Sequence, residues 1–187
     1  MLDLIYISVF KLFGWKLIGE ISSTLKKSII IVAPHADWVD FPVGLFARAS
    51  LKTKVSFLGK AELFKGSFGF LFRWFGGKPV DRFSNTGMVD SVVEMFHTSE
   101  ILHIALAPEG TRKAVSKLRT GFYYIALEAK VPIVMVVFDY PNKRIIVREP
   151  LILLGNMEED LREIALYYNQ FSGVKKEWIH NYLFEEA

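Results

Sequence analysis

Four short apolar runs punctuate the chain at 28–33, 55–59, 101–107 and 131–140, and nothing else limits its fold as strongly. The first contains four successive β-branched residues, Ile29 to Val32, and is stopped by Pro34. Runs of this kind, bounded by turn residues, read as buried strands. Between them the spacing changes to that of helices: about Asp40 to Ser50, then Met88, Val89, Val92, Val93 and Phe96, then Gly121 to Lys130. Strands alternating with helices predict one α/β domain with a mixed, mostly parallel sheet flanked by helices. A chain of 187 residues is long enough to bury a core for such a domain. Pro141-Asn142 predicts a turn into a further strand, Arg144 to Arg148, paired as a hairpin. Asn156 followed by Glu159 has the pattern of a capping box, and behind it Leu161, Ile164, Tyr168 and Phe171 share a helical face. Trp178, Tyr182 and Phe184 lie in a tail that the pattern does not place.

Three polar clusters stand at the ends of these runs: His35 with Asp40, Arg82, and Glu109 with Arg112. In an open α/β sheet, strand ends at one edge border a single crevice, so the three can share a site. His35 and Asp40 would diverge by about 140° on one continuous helix. They meet if His35 stands in the loop and Asp40 in the first turn of the next helix. A carboxylate holding an imidazole suits a general base; a structural histidine beside a helix-capping Asp40 is the competing reading. Arg82 and Arg112 offer guanidinium forks for a phosphate. Glu109 could hold one of these arginines, and Gly110 would let the backbone approach a ligand. An ordinary turn with a solvated ion pair also fits Glu-Gly-Thr-Arg. His97 and His103 sit among apolar residues and read as structural, and His180 has no evident partner. Metal-ligand spacing, a phosphate loop and a Gly-x-Ser-x-Gly turn are all missing from the sequence.

Composition bears on partners. The apolar fraction is 51%, with 16 Phe and 4 Trp, more large aromatics than a water-surrounded domain needs. Some are therefore expected to face lipid or an acyl chain. The net charge of +3 suits an anionic lipid surface or a phosphorylated substrate, and no dense basic block suggests nucleic acid. With no Cys there is neither a disulfide frame nor a thiolate nucleophile, which fits a reducing compartment. The first 21 residues are interrupted by Asp3, Lys11, Lys16 and Glu20, fall short of the roughly 18 uncharged residues of a membrane span, and lack a signal-peptide pattern. On a helical wheel Tyr6, Phe10, Phe13, Leu17 and Ile21 make one stripe. Such a helix lies in a membrane interface or packs its stripe on the domain.

The blocks together resemble the glycerolipid acyltransferases, the family that includes 1-acyl-glycerol-3-phosphate acyltransferase. His35 and Asp40 are similar to the first motif, His-x4-Asp. Lys60 to Gly66 with Gly76-Gly77-Lys78-Pro79-Val80-Asp81-Arg82 is similar to the second, Pro108-Glu109-Gly110-Thr111-Arg112 to the third and Val131-Pro132-Ile133-Val134 to the fourth. Four blocks in order are specific together, although each alone is weak. The resemblance implies a glycerol-3-phosphate acyltransferase-like fold, with residues 1–21 as an interfacial segment and 22–187 as the acyltransferase domain. It implies His35 as base and Asp40 as its orienting partner. Arg82, Glu109, Gly110, Thr111 and Arg112, with Lys60 assisting, would bind the acceptor. It further implies acyl-CoA or acyl carrier protein as co-substrate, no metal or cofactor, a lysophospholipid acceptor, and a cytoplasmic protein peripheral on the inner face of the cell membrane. The leading expectation is conversion of 1-acyl-glycerol-3-phosphate to phosphatidic acid. Another lysophospholipid, an acylated amino-acid lipid, or lipid binding without turnover are the alternatives. The aromatic run Phe68 to Phe75 would line an acyl path or pack in the core. Pro34, Asp37 and Met135 depart from the family pattern, and Asp37 adds a second carboxylate near His35.

Overall fold

The β-branched runs form the centre of a seven-stranded sheet in the computed structural model, which describes residues 2–35, 39–51, 53–80, 87–171, 173, 174, 176 and 177–184. The strands are β1 (Lys16–Ile18), β2 (Lys27–Ala33), β3 (Val55–Lys60), β4 (Gly77–Val80), β5 (Leu102–Leu106), β6 (Ile133–Asp139) and β7 (Arg144–Val147). Their order across the sheet is β1-β7-β6-β2-β5-β3-β4. The helices are α1 (Leu2–Leu12), α2 (Asp40–Ser50), α3 (Gly69–Trp74), α4 (Gly87–Thr98), α5 (Gly121–Glu128), α6 (Met157–Asn169) and α7 (Glu177–Phe184). Strands β2 to β6 run parallel, whereas β7 returns antiparallel to β6, as the Pro141-Asn142 turn predicts. The mixed, mostly parallel sheet expected from the sequence is the one observed.

Strand alternation splits the core in two. Ile29, Ile31, Ile104, Ile133 and Met135 point to a layer built from α4 to α7. Ile30, Val134, Val136 and Phe138 point the other way, toward α1 and α2. Helices on both faces explain why β2 from Ile29 to Ala33 and β6 from Ile133 to Phe138 are apolar at successive rather than alternate positions. Helix α2 starts at Asp40, whose carboxylate sits favourably at the positive helix end. Pro42 falls in the first turn, where its missing N–H goes unneeded.

Three expectations change at the local level. The N-terminal helix is shorter than the stripe suggested: Gly14 takes φ +79°, the chain turns, and Leu17 enters β1, paired with β7. Phe10 is buried and stacks on Trp15, so this part of the stripe packs on the domain. Asn156 does stand at the cap of α6, but its side chain makes no capping bond. Asp160 takes over, accepting from the Leu154 and Gly155 amides and the Tyr123 hydroxyl. Burial, then this bond, pushes the Tyr123 hydroxyl up to about 12. Finally, the aromatic run folds as α3 on the edge beside β4, and most of its rings are exposed. The unplaced tail becomes α7, with Trp178 fully buried against Tyr168. His103 is structural as expected, bonded to the Ser28 hydroxyl, and burial lowers its pKa. His97 and His180 are exposed.

Candidate active site

Because β2, β5 and β6 are neighbours and parallel, the loops leaving their carboxyl ends crowd together at one edge. The loop after β2 carries His35, the loop after β5 carries Glu109, and the turn after β6 begins with Tyr140. The chain enters α2 at the same edge, which brings Asp40 back to His35. His35 Nδ1 lies 2.8 Å from Asp40 Oδ2. Asp40 is buried, and its other carboxylate oxygen accepts a hydrogen bond from the Tyr140 hydroxyl. A carboxylate at Nδ1 fixes the tautomer with the proton there, leaving Nε2 with the lone pair. Trp15, just before β1, sets its ring edge-on to Tyr140 at 5.3 Å between centroids and helps hold the phenol.

Glu109 is the surprise of the site. Its side chain is fully buried and grips no arginine among the described residues. One carboxylate oxygen accepts the backbone N–H of His35 at 3.3 Å. The other receives the Lys176 ammonium at 3.0 Å. Among the described residues Glu109 pairs with Lys176 and not with Arg112. A buried carboxylate needs a partner that comes with it out of water, and Lys176 is the one within reach while Arg112 stays exposed. Glu109 therefore fixes the backbone of the histidine from one side while Asp40 fixes its ring from the other.

A cavity of about 420 Å³ opens beside His35 and Asp40 and runs between α2 and the sheet. Its floor is Ile30, Val32, Ala105, Val136 and Phe138, and its roof is Phe41, Gly44, Leu45 and Ala47. Arg112 borders it along with the His35 end. At the other end of α2, Arg48 donates to the carbonyl oxygens of Val55, at 3.2 Å, and Phe75, at 2.6 Å. Those bonds satisfy a guanidinium that would otherwise sit unpaired against an apolar space. On the opposite face, the buried Tyr168 hydroxyl points to the carbonyls of Ile31 (2.8 Å) and Val136 (3.2 Å), bracing β2 against β6 below the site.

The other expected residues are distributed less tightly. Gly110 takes φ +66°, which only glycine adopts freely, but the space a Cβ would fill is occupied by the Arg119 side chain. Thr111 turns inward on its own loop and accepts the Lys113 N–H at 3.2 Å. Lys60 is exposed at the end of β3, on the same edge but away from the cavity wall. Arg82 and Asp37 lie outside the described residues. Of the aromatic run, Phe75 reaches the cavity. Sequence reasoning missed Tyr140, Lys176 and the hollow beneath α2. Tyr140 had a usable signal, since it directly follows a strand ending at this edge. Lys176 had none, because its meeting with Glu109 depends on how the tail folds back.

The sequence matches the family described as Acyltransferase over residues 16–139. Among solved structures, the chain is similar to the crystal structure of the 1-acyl-sn-glycerophosphate (LPA) acyltransferase PlsC from Thermotoga maritima. That likeness has a TM-score of 0.56 at 20% identity and covers 87% of this chain and 72% of the other, which makes it a likeness of fold. No curated protein matches the chain. With the first and third blocks meeting at one sheet edge and the family match across residues 16–139, the chain belongs to the acyltransferase family.

Proposed function

We propose that the protein transfers a fatty acyl group from a thioester donor, acyl-CoA or acyl carrier protein, to the hydroxyl of 1-acyl-glycerol-3-phosphate, giving phosphatidic acid. The observation that carries this reading is the His35–Asp40 pair at the entrance of an apolar cavity. His35 Nε2 takes the proton of the acceptor hydroxyl as that oxygen attacks the thioester carbonyl. The C–O bond forms, the C–S bond breaks, and the leaving thiolate receives the proton from the imidazolium. Asp40, held by Tyr140, stabilises that imidazolium, as the carboxylate does in hydrolase triads, with the substrate itself as nucleophile. Glu109 keeps the His35 backbone from shifting during the transfer. The steps use no metal or prosthetic group. The cavity takes an acyl chain, and Arg112, exposed at its border, meets the acceptor phosphate together with Arg82.

No helix among the described residues is long and apolar enough to cross a membrane. A peripheral position on the inner face of the cell membrane fits a substrate of this kind. The test is release of CoA from acyl-CoA in the presence of a panel of lysophospholipids and acylated amino acids. The expected result is turnover with 1-acyl-glycerol-3-phosphate that falls about 10²–10⁴-fold in His35→Ala. Equal rates for wild type and His35→Ala would remove the base assignment. Turnover restricted to an unphosphorylated acceptor would overturn the phosphatidic acid reading.

A further inference from the structure

The crossover from β3 to β4 turns most of its large apolar side chains away from the core. Phe68 is 71% exposed, Phe70 68% and Trp74 55%, and Leu63 and Leu71 are exposed beside them. Single exposed apolar residues are ordinary, but five within twelve residues form a patch that calls for an occupant. The segment is also firmly seated. Phe64 is buried beneath it, with the Phe72 ring 5.9 Å away and the Arg73 guanidinium 5.6 Å over its face. Gly59 and Gly77 let the backbone close on that ring, since a Cβ at Gly77 would stand 2.8 Å from Phe64 Cζ and one at Gly59 2.9 Å from Phe64 Cε2. The outer aromatics are thus held out on a packed base.

Charge identifies the occupant. Lys60, Lys65, Arg73 and Lys78 are all exposed along this segment, and Glu62 is the one carboxylate among them. Residues 60–78 therefore carry as much net positive charge as the whole chain. None of these four cations has a carboxylate partner among the described residues. A second copy docked by the same patch across a two-fold axis would set cations against cations. An anionic phospholipid surface accepts both halves of the pattern, rings at the level of the head groups and basic side chains on phosphates. Each such cation is drawn to the negative potential of an anionic leaflet. The patch also leads to the cavity. Phe41, part of the cavity roof, sets its ring edge-on to Phe57 at 5.4 Å and to Phe75 at 6.1 Å, the residue that closes α3.

We infer that the segment from Leu63 to Trp74, ringed by Lys60, Lys65, Arg73 and Lys78, is the surface by which the protein seats on an anionic phospholipid bilayer. This shifts the membrane contact from the segment expected in the sequence, residues 1–21, to the opposite end of the sheet. The inference rests on the proposed lipid chemistry for its purpose, but binding is measured without donor, acceptor or turnover. The experiment is co-sedimentation of the full chain with phosphatidylglycerol-containing vesicles and with pure phosphatidylcholine vesicles, at low and high salt. Wild type is expected to partition onto the anionic vesicles and to be weakened by salt. The triple variant Phe68→Ser/Phe70→Ser/Trp74→Ser should lose about tenfold or more of that partitioning at an unchanged unfolding midpoint. The control Leu12→Ser/Phe13→Ser, at the exposed end of α1, should lose far less. As a second readout, lipids brominated in their acyl chains should quench Trp74, and Trp74→Phe should abolish most of that quenching. Equal partitioning of wild type and triple variant would overturn the inference, as would equal binding to neutral vesicles or a dimer that the triple variant dissociates. A failed acyl-transfer assay alongside intact vesicle binding would count against the proposed reaction and leave the surface standing.

Discussion

The two faces of the sheet are fed by the same strands and end up opposite in texture. Toward α4–α7, Phe122, Tyr123, Tyr168 and Trp178 join Ile29, Ile31, Ile104 and Met135 in a core in which each is less than 2% exposed or close to it. Toward α1 and α2 the strands offer residues of similar size, yet a cavity of about 420 Å³ remains. The difference lies in the helices. Over the cavity α2 presents Gly44 and Ala47, too small to fill it, whereas α6 and α7 present tyrosines and a tryptophan. Interiors are ordinarily packed without voids, and an empty one costs stability in proportion to its volume. A face left hollow at that cost, beside a half-buried histidine held by a buried carboxylate, is arranged for a ligand; the filled face is arranged for stability.

Substitutions on each side should separate the two. The largest effect on the fold belongs to Trp178→Ala on the filled face. It should lose about 3–5 kcal/mol in denaturant unfolding while transfer activity of the folded fraction persists. If activity instead disappears in protein that remains folded, the filled face is also part of the site. Next comes Lys176→Met, at the seam where the tail meets the site. Removing one partner of the buried pair leaves the Glu109 carboxylate without its ammonium, a loss of about 1.5–3 kcal/mol. It should lower kcat more than it raises KM, and Lys176→Arg should restore much of the loss. No rescue by arginine, or a change in KM alone, would mean that the pair does not position His35. The smallest effect on stability is expected for Gly44→Leu, which fills the hollow face. Its backbone has ordinary helical angles and a Cβ there would meet Phe138 at a comfortable 3.7 Å, so unfolding should shift by about 1 kcal/mol or less. Turnover with long acyl donors should nevertheless fall well below turnover with short ones. A uniform loss across chain lengths would break the assignment of the cavity to the acyl chain.

Much of this was legible before the structure. The central strands, α2 and the hairpin follow from β-branched runs and turn residues because those signals are local. The His35–Asp40 contact was legible too, since a loop followed by a helix start leaves few other arrangements. What escaped depends on residues far apart in sequence. A helical wheel drawn through residues 1–21 cannot register that Lys16–Ile18 will find β7, and so it overextended α1. Glu109 beside two candidate arginines, Arg82 and Arg112, suggests an arginine partner, yet its partner among the described residues is Lys176, 67 residues away. The hollow beneath α2 was written in Gly44 and Ala47, but small residues announce a cavity only once the floor opposite them is known. The sequence offers the aromatic run as core or acyl path; most of its rings stand exposed, and Phe75 reaches the cavity.

Strand β1 has a consequence in time. It lies parallel to β7, with Lys16 opposite Arg144, so its partner is synthesised well over a hundred residues after it. During N-terminal-first synthesis the opening segment must wait, unpaired, until the hairpin of β6 and β7 exists. It then covers an edge whose amides and carbonyls would otherwise invite another chain. A shortened protein lacking residues 1–21 would leave that edge bare, and its self-association would say more about unfinished assembly than about lipid. The first strand to be made is among the last that the sheet can receive.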